Sequence, residues 1–326
     1  MNRKQLVVAV QALVSMGLML FLFRGLDLDA FRTIVHRVPV WFYFASLGVV
    51  LAGQVMYAWR WRLLLVCNGV HVSVGTVIRQ YFIGILLNNF FPSTVGGDVA
   101  KVYYLGREHG YRPVAASVVL DRVLGMGLLA LTASVLLWTQ PAASPQLAAA
   151  RLLVTGFGAV AVIIVAVAIR GTGGLPSRVA RFGPRVVGLA ERLQRFRQDM
   201  AAAAERPAVL WKAFAVVVTY FAAVTVIYQL FVRLTVAVSP PFVPLLTAVM
   251  ATAVLSNIPI SLNGLGLREQ LHVLLLQPLG VPPEVAVAIS LLLYAHLLVA
   301  SLIGIVFWMR APVLSADAID RFSASV

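Results

Sequence analysis

The chain has 326 residues, of which 61% are hydrophobic and only 12% charged, with a mean hydropathy of +0.92. A soluble domain carries about a quarter charged residues, so the composition excludes that class and indicates an integral membrane protein. The net charge of +14 would suggest nucleic acid on a soluble chain; here the cations fall mostly between apolar runs, where they set topology and meet anionic lipid, and no nucleic-acid partner is expected. The single cysteine, Cys67, cannot form an internal disulfide.

In chain order, the first apolar run covers 5–23, after Arg3 and Lys4. It is longer than a signal h-region, and Phe21-Leu22-Phe23-Arg24 is no small-residue cleavage site, so it reads as a retained span. Further runs follow at 38–58, 114–138, 152–169, 213–236 and 284–309. Each reaches or approaches the roughly 20 residues that cross the hydrocarbon as helix. Two more segments, 77–106 and 242–279, are apolar but broken, at Pro92 with Gly96-Gly97 and at Pro259 with Gly264 and Gly266.

Loop 170–212 is strongly basic, which places it in the cytoplasm. Val186, Leu189, Ala190, Leu193, Phe196 and Met200 recur at helical spacing. That fits either a basic amphipathic helix on the inner membrane surface or a solvated linker helix. Counting from this loop puts both termini in the cytoplasm, with Arg60, Arg62, Lys101, Arg107 and Arg112 on the same side. Loop 24–37 falls outside the cell although it carries Arg24, Arg32 and Arg37, and so departs from the pattern. Trp41, Phe42 and Tyr43, and at the other end Tyr57, Trp59 and Trp61, fit aromatic belts at the two interfaces.

This map closes only if each broken segment enters and leaves on one side. Irregular backbone survives at membrane depth only beside protein or a watery cavity. The expected fold is therefore an all-α polytopic membrane protein with about six full spans and two re-entrant helical hairpins, eight membrane segments in all. The first half, 1–151, holds hairpin 77–106, and the second half, 152–326, holds hairpin 242–279. The order span, broken hairpin, span occurs in both halves. The single crossing 152–169 between them would invert the second unit against the first. The breaks correspond: NNFFPSTVGGDVAK at 88–101 and NIPISLNGLGLREQ at 257–270 each hold Asn, Pro, hydroxyls and glycines before charge. Paired interrupted segments of this kind point to a transport site.

PSTVGGDVAK, the VVLDRVLG stretch and NIPISLNGLGLREQ together resemble the flippase-like, lysylphosphatidylglycerol-synthase transmembrane family over roughly residues 5–309. The resemblance implies two inverted re-entrant repeats. Some members of that family move aminoacylated phosphatidylglycerol between leaflets. Others are linked to polyprenyl-phosphate sugars, hopanoids or archaeal lipid-linked glycans. The sequence runs only a short way past its last apolar run. The large catalytic domain of the synthases is therefore not expected in it, and any lipid-modifying activity is expected of a separate enzyme.

The candidate substrate-binding residues come from the two breaks and the span between them: Asn89, Ser93, Gly96, Gly97, Asp98, Lys101 and Arg122, then Asn257, Ser261, Asn263, Gly264, Gly266, Arg268 and Glu269. A helix N-terminus behind glycines suits a phosphate. The other reading is that Asp98 and Glu269 cap or pair locally and that the glycines only let helices pack. Asp121-Arg122 lies roughly 12 Å into its span at 1.5 Å per residue. Either charge alone there costs about 2.5–3.5 kcal/mol. Arg122 either pairs with Asp98 or holds a lipid phosphate. Asp98, Glu269 and His272 are candidate proton carriers, although His272 beside Glu269 also fits a local hydrogen bond. The histidines lack metal-ligand spacing, and no cofactor, catalytic motif or P-loop is found.

The leading expectation is a flippase or scramblase in the plasma (inner) membrane, moving an anionic phospholipid or a polyprenyl-phosphate-linked lipid by alternating access. The alternative is a membrane-embedded transferase or accessory subunit acting on lipid-linked sugars or aminoacyl lipids. A small-solute transporter is the third reading.

Overall fold

The computed structural model describes residues 3–90, 96–141, 145–170, 206–258 and 260–310, with 194, 198 and 201. The loop positions 171–193, most of the following basic segment, and Ser93 and Pro259 lie outside the described residues, so the surface-helix expectation falls there too. The described residues form helices joined by short turns, with no strand among them.

Helix α1 covers Arg3–Arg24 and α2 covers Leu28–Arg37. Then come α3 (Val40–Cys67), α4 (Val74–Phe90), α5 (Gly96–His109), α6 (Tyr111–Trp138) and α7 (Pro145–Arg170). The second half holds α8 (Pro207–Val236), α9 (Phe242–Leu255), a 3-10 turn over Leu262–Gly264, α10 (Leu267–Leu276) and α11 (Pro283–Met309). Among the described residues, five helices are long and apolar enough to span a bilayer: α3, α6, the central part of α7, α8 and α11. A sixth span arises only if α1 and α2, bent by 90°, count as one. The chain is therefore a multi-pass membrane protein.

The bend between α1 and α2 revises the expected loop 24–37. Asp27 starts a helix there, its Oδ1 accepting from the N–H groups of Asp29 at 2.9 Å and Ala30 at 3.0 Å, as N-cap acids do. Arg37, an apparent exception to the charge pattern, donates to the Thr235 carbonyl at 3.1 Å, in the last turn of α8. A cation there meets the negative end of that helix.

Both broken segments are pairs of short helices, α4 with α5 and α9 with α10. In each half the first long helix packs on the first short helix, the short helices pack on each other, and the second short helix packs on the last long one. Contacts between the halves are reciprocal. Helix α11 lies on α4, α6 lies on α9, and α3 lies on α8.

Lipid supplies no hydrophobic drive between helices, so small residues that allow close approach matter most. Helices α4 and α5 cross where Gly84 meets Gly97: a Cβ on Gly97 would stand 2.0 Å from the Gly84 carbonyl oxygen. The largest buried cluster lies between the halves, with Phe42 from α3, Phe231 and Tyr228 from α8, Met250 from α9 and Ile289 from α11.

Candidate functional site

Between the halves the side chains turn polar. One cavity of about 310 Å³ is lined by Tyr57, Arg60, Tyr81, Asn88, Asp98, Lys101, Asp121, Arg122 and Asn257, with apolar residues from α6 and α8. A second, of about 290 Å³, is lined by Asn88, Asn89, Arg122, Ser256, Asn257, Ser261, Asn263, Gly264, Arg268 and Tyr294. Asn88, Arg122 and Asn257 line both. The two cavities thus adjoin, one built around each break.

The charges of the first cavity are interlocked. Asp121 on α6 accepts from Arg60 Nε on α3 at 2.8 Å, with both side chains almost wholly buried. Arg60 Nη2 also reaches the Asp121 carbonyl at 3.4 Å. Gly125, one turn on, makes room for this guanidinium: a Cβ there would lie 2.6 Å from Arg60 Nη2. Asp98 accepts from Arg122 Nε through Oδ2, and its Oδ1 lies 3.5 Å from Lys101 Nζ. The Lys101 ammonium also sits over the rings of Tyr81, at 4.2 Å, and Trp61, at 5.3 Å. Arg60 lies over Tyr57 at 4.9 Å. Rings take the place that water would fill around a surface cation.

This arrangement revises two expectations. Arg60 is no inside-loop charge but the buried partner of Asp121. Trp61 belongs to no belt: it is 1% exposed, and its indole N–H donates to Ser117 Oγ at 3.1 Å.

The second break is held from behind. Glu269 is fully buried and accepts from the Gly266 N–H at 2.7 Å, Ser290 Oγ at 2.8 Å, and Arg268 through Nη2 at 3.1 Å and Nε at 3.2 Å. It therefore caps α10 and orients Arg268. The guanidinium of Arg268 lies 4.6 Å from the centre of the Tyr294 ring at the cavity wall. His272 Nδ1 donates to the Arg268 carbonyl at 2.9 Å, so its Nε2 accepts from Tyr228 OH at 2.5 Å.

Of the candidates from the first break, Asn89, Asp98, Lys101 and Arg122 line the cavities, and the Gly97 N–H is taken by Asn88 Oδ1 at 2.8 Å. Gly96 starts α5 outside both linings. From the second break, Asn257, Ser261, Asn263, Gly264 and Arg268 line them; Gly266, Glu269 and His272 stand behind. Gly266 has φ +80°, and the space where its Cβ would go is filled by Leu18 and Ser15 of α1. Its approach side thus faces a helix rather than a ligand. Asn88, Arg60, Asp121, Tyr81 and Tyr294 complete the site. The depth of Asp121 marked it in the sequence as a charge needing a partner; nothing local marked the others. Among the described residues, no three of His, Cys, Asp and Glu gather as a metal site would require.

The family model for the lysylphosphatidylglycerol synthase TM region matches residues 8–306. The chain belongs to that family. A UPF0104 membrane protein of Methanothermobacter thermautotrophicus is 28% identical over 334 residues, covering 94% of this chain and 93% of the relative. A UPF0104 membrane protein of Pyrococcus horikoshii is 31% identical over 117 residues, 34% of each chain. The family's matched region takes in both breaks and every residue of the two cavities.

Proposed function

We propose that this protein moves an anionic lipid head group across the bilayer by alternating access between two inverted repeats. The observation that carries the proposal is the meeting of both breaks at Arg122, Asn88 and Asn257, in one polar region between long apolar helices. Intramembrane charges are costly and mark substrate paths. The reciprocal packing of α4 on α11 and α9 on α6, with α3 on α8, supports a two-fold relation between the halves. Transport sites form at such repeat interfaces, where one unit rocks against the other. The family name points the same way, toward lipid.

In this reading both termini are cytoplasmic, the membrane is the plasma (inner) membrane, and each α4–α5 or α9–α10 pair is a re-entrant hairpin. Arg122 and Arg268 face the head group while its tails remain in lipid. The protein performs movement rather than bond chemistry. Asp98, Asp121 and Glu269 each accept from a cation, which suits a rigid binding frame better than a general base. A separate lipid-modifying enzyme would supply or use the lipid.

Reconstitution in liposomes with fluorescent phosphatidylglycerol and a polyprenyl-phosphate analogue tests this. Leaflet exchange above that of protein-free vesicles is expected for at least one. No acceleration for either, with uptake of a soluble solute, would reject it. A product of changed mass would favour the transferase reading.

A further inference from the structure

We infer that Ser15 of α1 is a positioning residue for the second break: it holds the Leu262–Gly264 turn and, through that turn, sets Asn263 against the first break. This rests on the reading that the two breaks form one site.

Ser15 lies roughly 18 Å along the helix axis from Arg3, at 1.5 Å per residue, within an apolar run. Gln11, Ser15, Leu18 and Leu22 recur at i, i+4, i+7 and i+11 and so share one face. Ser15 and Leu22 are buried on it, whereas Leu13, Met16 and Leu20 on the other side are exposed. Helix α1 packs on the Leu262–Gly264 turn and on α10. Ser15 Oγ accepts from the Leu262 N–H at 2.8 Å. The Ser15 carbonyl oxygen would stand 3.1 Å from a Cβ on Gly266, so α1 and the break meet backbone to backbone.

The turn needs this support. Asn263 has φ +49° and Gly264 has φ +76°, a left-handed conformation that costs energy in a residue with a Cβ. Within the turn the Leu265 N–H donates to the Leu262 carbonyl at 2.9 Å. The Leu262 N–H points the other way, to α1. Irregular backbone at membrane depth must find such partners. The two breaks solve this differently. In the first, the Gly97 N–H is taken by Asn88 of the same helix pair. In the second, the acceptor comes from a helix outside both span–pair–span units. Asn263 follows Leu262 directly and donates to the Asn89 carbonyl at 3.4 Å. What α1 holds in place is therefore the contact between the breaks.

The test uses the full chain with cysteines at 89 and 263 in a Cys67→Ser background, and a short bifunctional thiol reagent. S15A should slow cross-linking at least about fivefold, because the stranded N–H disfavours the native turn. Adding L262P to S15A should restore the rate. Ser261 has φ −124° and ψ 160°, which suits the residue before a proline, and the ring removes the N–H that the alanine strands. M16A, on the exposed side of α1, should leave the rate unchanged. S15T keeps the hydroxyl and should cross-link as serine does; it decides the case if the double variant does not fold. Unchanged cross-linking in folded S15A overturns the proposal, as does equal slowing by M16A or S15T. Slow cross-linking that persists in folded S15A/L262P also overturns it and reduces Ser15 to packing. Cross-linking is read without lipid. A parent protein that shows this pattern but exchanges no lipid supports the positioning role and rejects the movement reading alone.

Discussion

Asn263 of the second break donates through Nδ2 to the backbone carbonyl of Asn89 in the first, at 3.4 Å. The residues are 174 positions apart, so this bond spans the two halves where their polar segments meet. Asn89 is fixed in turn, its Nδ2 donating to Ser301 Oγ of α11 at 2.6 Å. Any rocking of one half against the other must break or carry this contact.

Cysteines at 89 and 263, in a Cys67→Ser background, should therefore be joined by a short bifunctional thiol reagent. The cross-linked protein should lose leaflet exchange, and uncoupling should restore it. Failure to cross-link in folded protein would separate the two breaks.

The Arg60–Asp121 pair is buried, and removing one partner strands the other charge. D121N should destabilise the protein by about 3–5 kcal/mol, read as a fall in unfolding temperature in detergent. The double variant R60Q/D121N should lose clearly less than the sum of the single losses. Additive losses would show that the two side chains act independently.

Gly97→Ala should reduce the yield of monodisperse protein sharply, because its Cβ would meet the Gly84 backbone and not a flexible side-chain end. Overpacking of this kind costs about 1–3 kcal/mol or more. Size-exclusion profiles and thermal unfolding read it. An unchanged profile would place α4 and α5 farther apart.

Asp98→Asn removes the carboxylate that Arg122 and Lys101 share. Lys101 and Arg122 then lose the one carboxylate they share. A monoanionic lipid should bind more tightly, by up to about tenfold, the factor that ~1.4 kcal/mol supplies. Its leaflet exchange should slow, because release becomes harder. Weaker binding would show that Asp98 itself faces the ligand.

Much of this arrangement could be read from the sequence, because bilayer physics writes it there. A proline and glycines inside an apolar stretch mark a break, and a carboxylate two turns into a span needs a partner. The Arg122–Asp98 pair lay within reach, because the depth of Arg122 in its span calls for an acid and Asp98 follows the first break directly. Arg60 did not. Its position beside Trp59 and Trp61 mimics an interface, and its partner is 61 residues away on another helix. Gly266 misled for a similar reason: glycine before a charged helix suits a ligand or a neighbouring helix equally, and only the packing of α1 decides. Asp27 is a fitting N-cap residue, but reading 24–37 as a loop hid α2.

The most direct measurement of the central claim is the accessibility of Asn257, which is exposed and lines both cavities. Asn257→Cys in a Cys67→Ser background, in oriented vesicles, would be labelled with a membrane-impermeant maleimide added from one side and then the other. Alternating access predicts reaction from both sides, slowed by phosphatidylglycerol. Reaction from one side only, in protein that still exchanges lipid, would contradict alternating access at this site.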